Sequence, residues 1–302
     1  MWRQRAKSFK LVDVDKNSKY FHSRATQRHR RNRILVIQNS MGRWVHHPKD
    51  IAESFTKFYQ NLFAFSNLTI REAAMNPLVK IVTDDMNAQL SQDFMEWEVQ
   101  ATLKQMASSK APGPNCIPPL FCQNYRSLVG DDVKNTILSY LNIATICHPL
   151  NHTFLTLIPK IKNLVFVFDY RPICLCNVLY KKISKVLANR LKKILPSIIN
   201  EQQSAFTKNC LISNNILVTF ETLHYMNNHK SSKTAYMAIK LDMSKAYDRV
   251  GWILLKEVMR KLGFNKRWIN LMMTCVKTVS YSVLVNGEPK RINLPYKGYS
   301  TR

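Results

Sequence analysis

One acidic residue of the chain stands where it could bind a metal ion. Asp242 follows an apolar run over residues 235–241, and Tyr247 and Asp248 come shortly after it. The run is predicted to be a strand, and a strand end holds a carboxylate rigidly, as Mg²⁺ requires when it meets a phosphate-bearing ligand. From the pattern alone, an aspartate that only caps the turn after the strand is an alternative. Asp248 is the predicted N-cap of the next helix.

Three cations near prolines could bind phosphate groups. Arg171 precedes Pro172, which keeps it in an extended turn, and a guanidinium can bind two phosphate oxygens at once. Its alternative is a surface arginine that is paired with Asp169. Lys160 follows Pro159 and Lys110 comes two residues before Pro112, both in loops where each could contact backbone phosphates or simply be solvated.

The charge balance points to a polyanionic partner. The chain has 45 Lys and Arg against 19 Asp and Glu, a formal charge of +26 and an isoelectric point near 9.9. Such a surplus destabilises a compact protein by self-repulsion, and nucleic acid is the favoured partner because neutralised phosphates release counterions.

Two segments concentrate this basic charge. The first is a cluster before the apolar residues 34–37, which could bind phosphates, act as a nuclear address, or be a solvated helix face or frayed terminus. The second is the flank of a predicted helix over 178–195, which could line a template groove or be solvated. The first cluster comprises Arg24, Arg28, His29, Arg30, Arg31 and Arg33, and the second comprises Lys181, Lys182, Lys185, Arg190, Lys192 and Lys193.

Other classes of protein are disfavoured by what the sequence lacks. No apolar run is long enough to cross a membrane, and the residues after Met1 do not form a secretory signal. The seven cysteines include no CxxC pair, which argues against disulfides and zinc and suits a reducing compartment. We therefore expect an intracellular protein of the nucleus or cytoplasm.

Hydrophobic periodicity predicts an α+β protein. Helices are predicted over 51–63, 93–106, 128–144, 178–195 with Pro196 as the stop, 211–227, 250–262 with Gly263 as the C-cap, and around Trp268 to Cys275. Strands are predicted over 154–159 and 164–168 as a pair, over 235–241, and over 281–285 and 290–294 as a hairpin with a type I′ turn at Asn286-Gly287.

A collinear series of motifs spans most of the chain. The longest are RPICLCNVLYKKISKVLANRLKKIL at 171–195 and LDMSKAYDRV at 241–250. SSKAPGPN begins at Ser108, TLIPK at Thr156, EQQSAF at Glu201 and VNGEP at Val285. Together they resemble the reverse transcriptase of LINE-type (non-LTR) retrotransposons, especially the plant kind. Residues 2–33 are similar to the segment that precedes this domain in those elements.

The resemblance implies a fold, an activity and partners. The fold is that of a right-hand polymerase, of which the chain would carry the fingers and part of the palm over residues 76–302, after a basic extension over 1–75. The activity is RNA-directed DNA polymerisation, a template-directed nucleotidyl transfer with two Mg²⁺ ions and a dNTP substrate. The implied partners are an RNA template and a DNA primer or target.

The resemblance also assigns roles to individual residues. Asp242 is implied to be a catalytic metal ligand, with the carbonyl of Met243 as a further ligand. Tyr247 would pack beneath the nucleotide sugar and exclude a 2′-hydroxyl, the alternative being a core tyrosine at a helix start. Arg171 would contact the incoming triphosphate, with Lys160 and Lys110 near backbone phosphates.

Two departures from the family pattern limit these expectations. Asn115-Cys116 replaces the Asp-Gly that is usual after the APGP turn, and the 302 residues contain no Tyr/Phe-x-Asp-Asp hairpin to supply the other catalytic carboxylates. One aspartate and a carbonyl cannot hold two Mg²⁺ ions, so we expect a truncated fragment without a thumb that is inactive alone. Two other hypotheses are an active polymerase that is only partly represented here, and a non-catalytic basic nucleic-acid-binding protein.

Overall fold

The computed structural model describes residues 19–63, 75–143, 148–161, 163–200, 202–203, 211–228, 236–241 and 250–292. These residues form both helices and a sheet, consistent with the predicted α+β class. They divide into two compact units, one within the ranges 1–68, 94–185 and 273–302, the other within 69–93 and 186–272. The second unit is therefore drawn from sequence that interrupts the first. The predicted domain boundary after residue 75 stays a prediction.

The described residues contain ten α-helices and six strands. The helices are α1 (Lys19–Arg31), α2 (Pro48–Phe63), α3 (Asp84–Ser91), α4 (Glu96–Gln105), α5 (Pro119–Asn124), α6 (Arg126–Ile143), α7 (Val178–Ile198), α8 (Ile212–Asn228), α9 (Trp252–Leu262) and α10 (Lys266–Lys277). The strands are β1 (Ile37–Gln38), β2 (Trp44–Val45), β3 (His152–Pro159), β4 (Tyr170–Cys176), β5 (Ser280–Val285) and β6 (Glu288–Ile292).

The main sheet of the first unit has the strand order β4-β3-β5-β6. β3 pairs antiparallel with β4 and parallel with β5, and β5 pairs antiparallel with β6. The β5–β6 turn has positive φ at both Asn286 (53°) and Gly287 (93°), as a type I′ turn requires, so that prediction is confirmed. The hairpin is not isolated, because β5 extends the sheet beside β3.

Helix α2 covers the main sheet and supplies much of its core. Ile51, Phe55 and Tyr59 recur at four-residue spacing and are all buried, while Leu155 and Leu157 alternate with less buried neighbours along β3. These residues belong to one apolar cluster. The ring of Phe55 meets that of Tyr170 edge to face at 5.3 Å between centroids, a contact that adds about 0.5–1.5 kcal/mol to the burial itself.

The prediction that residues 164–168 form the partner strand of β3 is wrong. The partner is β4, with Pro159 opposite Tyr170, and residues 167–169 form a short 3₁₀ turn instead. The Asp169 carboxylate accepts hydrogen bonds from the backbone N–H groups of Val165 (3.0 Å) and Phe166 (2.8 Å), which fixes that turn. Arg171 consequently lies within a strand rather than a turn. Pro172 is tolerated there because β4 is an edge strand.

Three further predictions about helix and strand limits are wrong. Helix α7 continues through Pro196 to Ile198, since proline φ suits a helix and the last turn loses only one hydrogen bond. Helix α9 begins at Trp252 with Gly251 as its N-cap, so Asp248 does not cap it. The described part of the predicted strand 235–241, residues 236–241, is irregular, because no described strand pairs with it.

The second unit is held together by polar contacts at the end of α9. Gly263 adopts the predicted left-handed C-cap with φ of 93°. Asn87 of α3 donates to the Gly263 carbonyl at 2.8 Å, and its own side-chain oxygen accepts from Asn265 N–H at 2.8 Å. The backbone N–H groups of Ile81 and Val82 both bond the Leu262 carbonyl. Sequence patterns did not predict α3, whose few apolar residues give little periodicity.

Helix α8 confirms the helix predicted over 211–227. Its apolar residues Ile216, Phe220 and Leu223 are all exposed. No helix among the described residues is both long and apolar enough to span a membrane.

Candidate nucleotide and nucleic-acid site

The residues of the predicted metal site and those that directly follow it lie outside the described ranges. These are Asp242, Met243, Tyr247 and Asp248. The described residues before them, 236–241, are exposed. Within the described ranges, no group of three or more His, Cys, Asp or Glu side chains could hold a metal ion. The metal ligands therefore stay predictions, and the described part of the candidate site consists of cations of the first unit.

Arg171 lies on β4 opposite Ile158, with its side chain exposed. The alternative interpretation paired it with Asp169, but the Asp169 carboxylate is buried and bonds two backbone N–H groups of its own turn. Among the described residues, no hydrogen bond or ion pair engages the Arg171 guanidinium. All five of its donors are thus available to an external anion.

Lys160 lies at the same end of the β3–β4 hairpin as Arg171. It follows Pro159, which is opposite Tyr170, and its ammonium donates to the Phe168 carbonyl at 2.6 Å. Its backbone N–H also bonds the Asp169 carbonyl at 2.9 Å. One of the three ammonium donors is therefore used to hold the turn, and the other two can reach a phosphate. Lys160 and Arg171 therefore lie at the same end of the β3–β4 hairpin, on the edge of the main sheet that β4 forms.

Lys110 lies at the opposite end of β4, in the loop 108–115. Gly113 of this loop is packed so tightly that an added Cβ would lie 2.5 Å from the backbone nitrogen of Asn177. Lys181 donates from its ammonium to the Ala111 carbonyl at 3.0 Å. Burial first, and then the charge of Lys110, lower the pKa of Lys181. Lys110 itself is exposed, so the loop presents one cation to solvent beside a second that anchors it.

Asn177 is a site residue whose role sequence reasoning missed. It is only 3% exposed, accepts from the Asn115 N–H at 3.1 Å and donates to the Leu150 carbonyl at 3.1 Å. Its own carbonyl accepts the first helical bond of α7, from Lys181. An asparagine directly before an apolar helical stripe is a recognisable N-cap signal. The long-range bonds of its side chain to the loop carry no sequence signal.

The departure at Asn115-Cys116 has a structural counterpart. Cys116 adopts φ of 57°, in the left-handed region where a glycine is favoured. The loop thus keeps a conformation suited to the glycine that the family pattern has at this position, at a local cost of about 1 kcal/mol for a residue with a side chain.

Helix α1 carries most of the basic cluster on its exposed face. Phe21 anchors the helix with a fully buried ring, whereas most of the cationic side chains at 24–33 are exposed. No carboxylate of the described residues pairs with these cations. Arg24 instead bonds the Tyr20 hydroxyl at 3.4 Å and lies over its ring at 5.8 Å. The cluster is therefore an exposed cationic surface.

The prediction of a uniformly exposed basic flank on α7 is wrong at two positions. Lys182 and Arg190 are buried, at 3% and 6% exposure. Arg190 donates to the carbonyls of Leu90 and Asp93 at 3.2 and 2.8 Å, and also to that of Gln92. Helical periodicity could not show this, because these carbonyls end α3, about a hundred residues earlier in the chain. Lys192 and Lys193 are exposed as predicted.

Comparison with known families supports the class that the motifs indicated. Residues 158–298 match the family described as reverse transcriptase (RNA-dependent DNA polymerase). The matched segment contains Lys160, Arg171 and Asp242, and does not extend to Lys110.

Two curated proteins of mobile elements are similar to the chain. A transposon TX1 uncharacterized 149 kDa protein of Xenopus laevis is 24% identical over 91% of this chain and 21% of its own length. The retrovirus-related Pol polyprotein from the type-2 retrotransposable element R2DM of Drosophila melanogaster is 26% identical over 67% of this chain and 18% of its own length. The chain spans about a fifth of the length of these relatives. These similarities support the resemblance to a non-LTR reverse transcriptase, and the plant kind stays a prediction.

Proposed function

We propose that the chain contributes the fingers and part of the palm to an RNA-directed DNA polymerase of a non-LTR retrotransposon. The observation that carries this proposal is the family match over residues 158–298, which contains Arg171 and Asp242 in their expected order. The exposed and unpaired state of Arg171 is consistent with a role in binding an incoming dNTP.

Each polar residue of the proposed site has a distinct task. Arg171 binds triphosphate oxygens with its planar fork, and the two free donors of Lys160 add charge at the same edge. Lys110 contacts the backbone phosphate of template or primer. Tyr247 packs beneath the sugar, where an immobile ring leaves no room for a 2′-hydroxyl.

Asp242 and the carbonyl of Met243 provide hard oxygen donors that fit Mg²⁺. When bound, Mg²⁺ supplies charge neutralisation at the reacting phosphate. Two ions need more carboxylates than these, and the 302 residues contain no Tyr/Phe-x-Asp-Asp sequence. A polypeptide of these 302 residues is therefore proposed to bind nucleotide and nucleic acid without polymerising.

The nucleic-acid partner is proposed to be an RNA template with a DNA primer or target. The exposed arginines of α1, which have no described acidic partner, provide phosphate contacts that do not read sequence. Affinity for RNA should then fall steeply with salt, because each neutralised phosphate releases counterions. Affinity that is insensitive to salt would contradict this account.

The role of Arg171 can be tested by dTTP binding to the complex with poly(rA)/oligo(dT) and Mg²⁺. Arg171→Gln should weaken dTTP binding by about 10- to 100-fold, the contribution of one charge-assisted hydrogen bond, and leave primer–template binding unchanged. Arg43→Gln removes another exposed arginine of the same unit and should change neither. Equal dTTP affinity in all three proteins would refute the assignment.

The second candidate is a non-catalytic basic nucleic-acid-binding protein, favoured by the unpaired cations of α1. That protein would bind RNA without any saturable dTTP site. Primer extension on the same substrate tests catalysis directly. Incorporation that Asp242→Asn abolishes would overturn the proposed inactivity of these residues alone, while supporting the polymerase assignment.

A further inference from the structure

A small cavity lies within the first unit, away from the edge that carries Lys160 and Arg171. Its volume is about 80 Å³, and α4, α5, α6 and the first turn of α7 form its walls. This is several times the roughly 10–15 Å³ that one water requires, and far below the hundreds of Å³ of a drug-sized ligand site. The apolar part of the wall consists of valine and leucine side chains, and the polar part is strongly charged.

Lys182 is the most unusual residue of this cavity. It lines the space and is 3% exposed, yet no hydrogen bond or ion pair engages its ammonium among the described residues. A charged lysine that is enclosed to this degree is costly without a partner, so an anion in the cavity would favour its charged form. Burial lowers the pKa of Lys182, a trend that Cys122 opposes and Arg126 reinforces.

The remaining polar residues of the cavity do not compensate Lys182. Lys134 engages both nearby carboxylates, Asp131 at 2.7 Å and Glu96 at 3.3 Å. Burial raises the pKa of the Cys122 thiol above its ordinary value, so it is uncharged at neutral pH. The cavity therefore keeps an excess of positive charge.

Arg126 is the second cation without an acidic partner that lines the cavity, and it lies on the solvent-exposed side. Its side chain also lines the space, and no described acceptor bonds its guanidinium. An ammonium and a guanidinium that face one small cavity together match the several acceptor oxygens of an oxyanion. The cavity has no room for a nucleoside, which excludes the dNTP of the proposed reaction.

We propose that this cavity is a binding site for a single tetrahedral oxyanion of phosphate size, held by Lys182 and Arg126. The anion supplies the negative charge that the folded chain lacks at Lys182, so its binding also stabilises the helices around the cavity. The site is independent of the proposed polymerase function, because its lining does not include Arg171, Lys160, Lys110 or Asp242.

The test is calorimetric titration of the 302-residue protein with inorganic phosphate, and with sulfate as an ion of the same shape, at constant ionic strength. The expected result is one saturable site for both ions. Lys182→Met and Arg126→Gln should each weaken it by about 10- to 100-fold. Lys104→Met removes an exposed lysine of α4 that does not line the cavity and should leave the site intact.

Folding of the variants is followed by far-ultraviolet circular dichroism and thermal unfolding. Arg126 is exposed, so its replacement keeps the test valid if Lys182→Met perturbs the fold. Phosphate should raise the unfolding temperature of the wild type and of Lys104→Met more than that of the two cavity variants. Absence of a saturable site in the wild type, or equal binding by all four proteins, would overturn the proposal.

Discussion

Replacement of Arg190 distinguishes a structural arginine from a nucleic-acid contact. Arg190→Met keeps the length and volume of the side chain but removes every donor that bonds the carbonyls of Leu90, Gln92 and Asp93. These carbonyls lie in the last turn of α3 or directly after it, and the substitution removes the guanidinium that bonds them.

The magnitude follows from the number of bonds lost. A buried acceptor left unsatisfied costs about 1–3 kcal/mol. One of the three bonds is buried and two are part-buried, so we expect a total loss of about 3 kcal/mol. Since domains are stable by only about 5–15 kcal/mol, this is a large fraction of the stability of the second unit.

Hydrogen exchange resolved by mass spectrometry is the suitable assay, because two units need not unfold together. Peptides from α3 and from the second half of α7 should lose protection in Arg190→Met, whereas Lys192→Met, an exposed position on the same helix, should leave it unchanged. RNA affinity per folded molecule should be equal in Arg190→Met and in the wild type. If Arg190→Met kept its protection and bound RNA more weakly, the structural role would be refuted, and Arg190 would instead be assigned to the template groove.

Three further predictions concern the first unit. Cys116→Gly should raise the free energy of unfolding by about 1 kcal/mol, because φ of 57° strains a residue with a side chain; a loss of stability in chemical denaturation would contradict this. Gly113→Ala should lower the unfolding temperature and expose the loop 108–115 to proteolysis, because its Cβ would lie 2.5 Å from backbone atoms of Cys176 and Asn177. The control Gly42→Ala is also strained, but its Cβ meets no atom within 4 Å, so the loop 108–115 should stay protected. Burial and Arg291 hold the pKa of His152 below 6.5, so the unfolded chain binds more protons and stability should fall as pH drops from 6.5 through the folded pKa; the same slope in His152→Gln would exclude His152 as its source.

The sequence predicted the elements whose signals are local. The Asn286-Gly287 turn, the left-handed Gly263 cap and the helix over 51–63 each depend on a few neighbouring residues, and all are confirmed. The partner of β3 was predicted wrongly because residues 164–168 look like a strand, and only the hydrogen bonds of Asp169 show otherwise. From the sequence, a carboxylate that bonds the backbone of its own turn is hard to distinguish from one that is exposed to solvent.

The residues of the candidate site also differ in how far the sequence predicts their surroundings. Arg171 and Lys110 are exposed, as their predicted roles in binding phosphates require. The burial of Lys182 and Arg190 does not follow from helical periodicity, because both are covered by segments that are distant in the chain. The position of Asn177 directly before α7 identifies it as an N-cap. The hydrogen bonds of its side chain to the Asn115 N–H and the Leu150 carbonyl could not be predicted, because both partners are distant in the chain.

The parallel pairing of β3 with β5 imposes an order on synthesis. His152 lies opposite Ser280, 128 residues later, and the intervening sequence includes residues 186–272 of the second unit. At translation rates of about 5–20 residues per second, one edge of β3 waits roughly 6–26 s for its partner. During that interval β3 presents unpaired backbone groups to solvent along one edge, so the nascent chain should depend on chaperones most strongly between these two points of its synthesis.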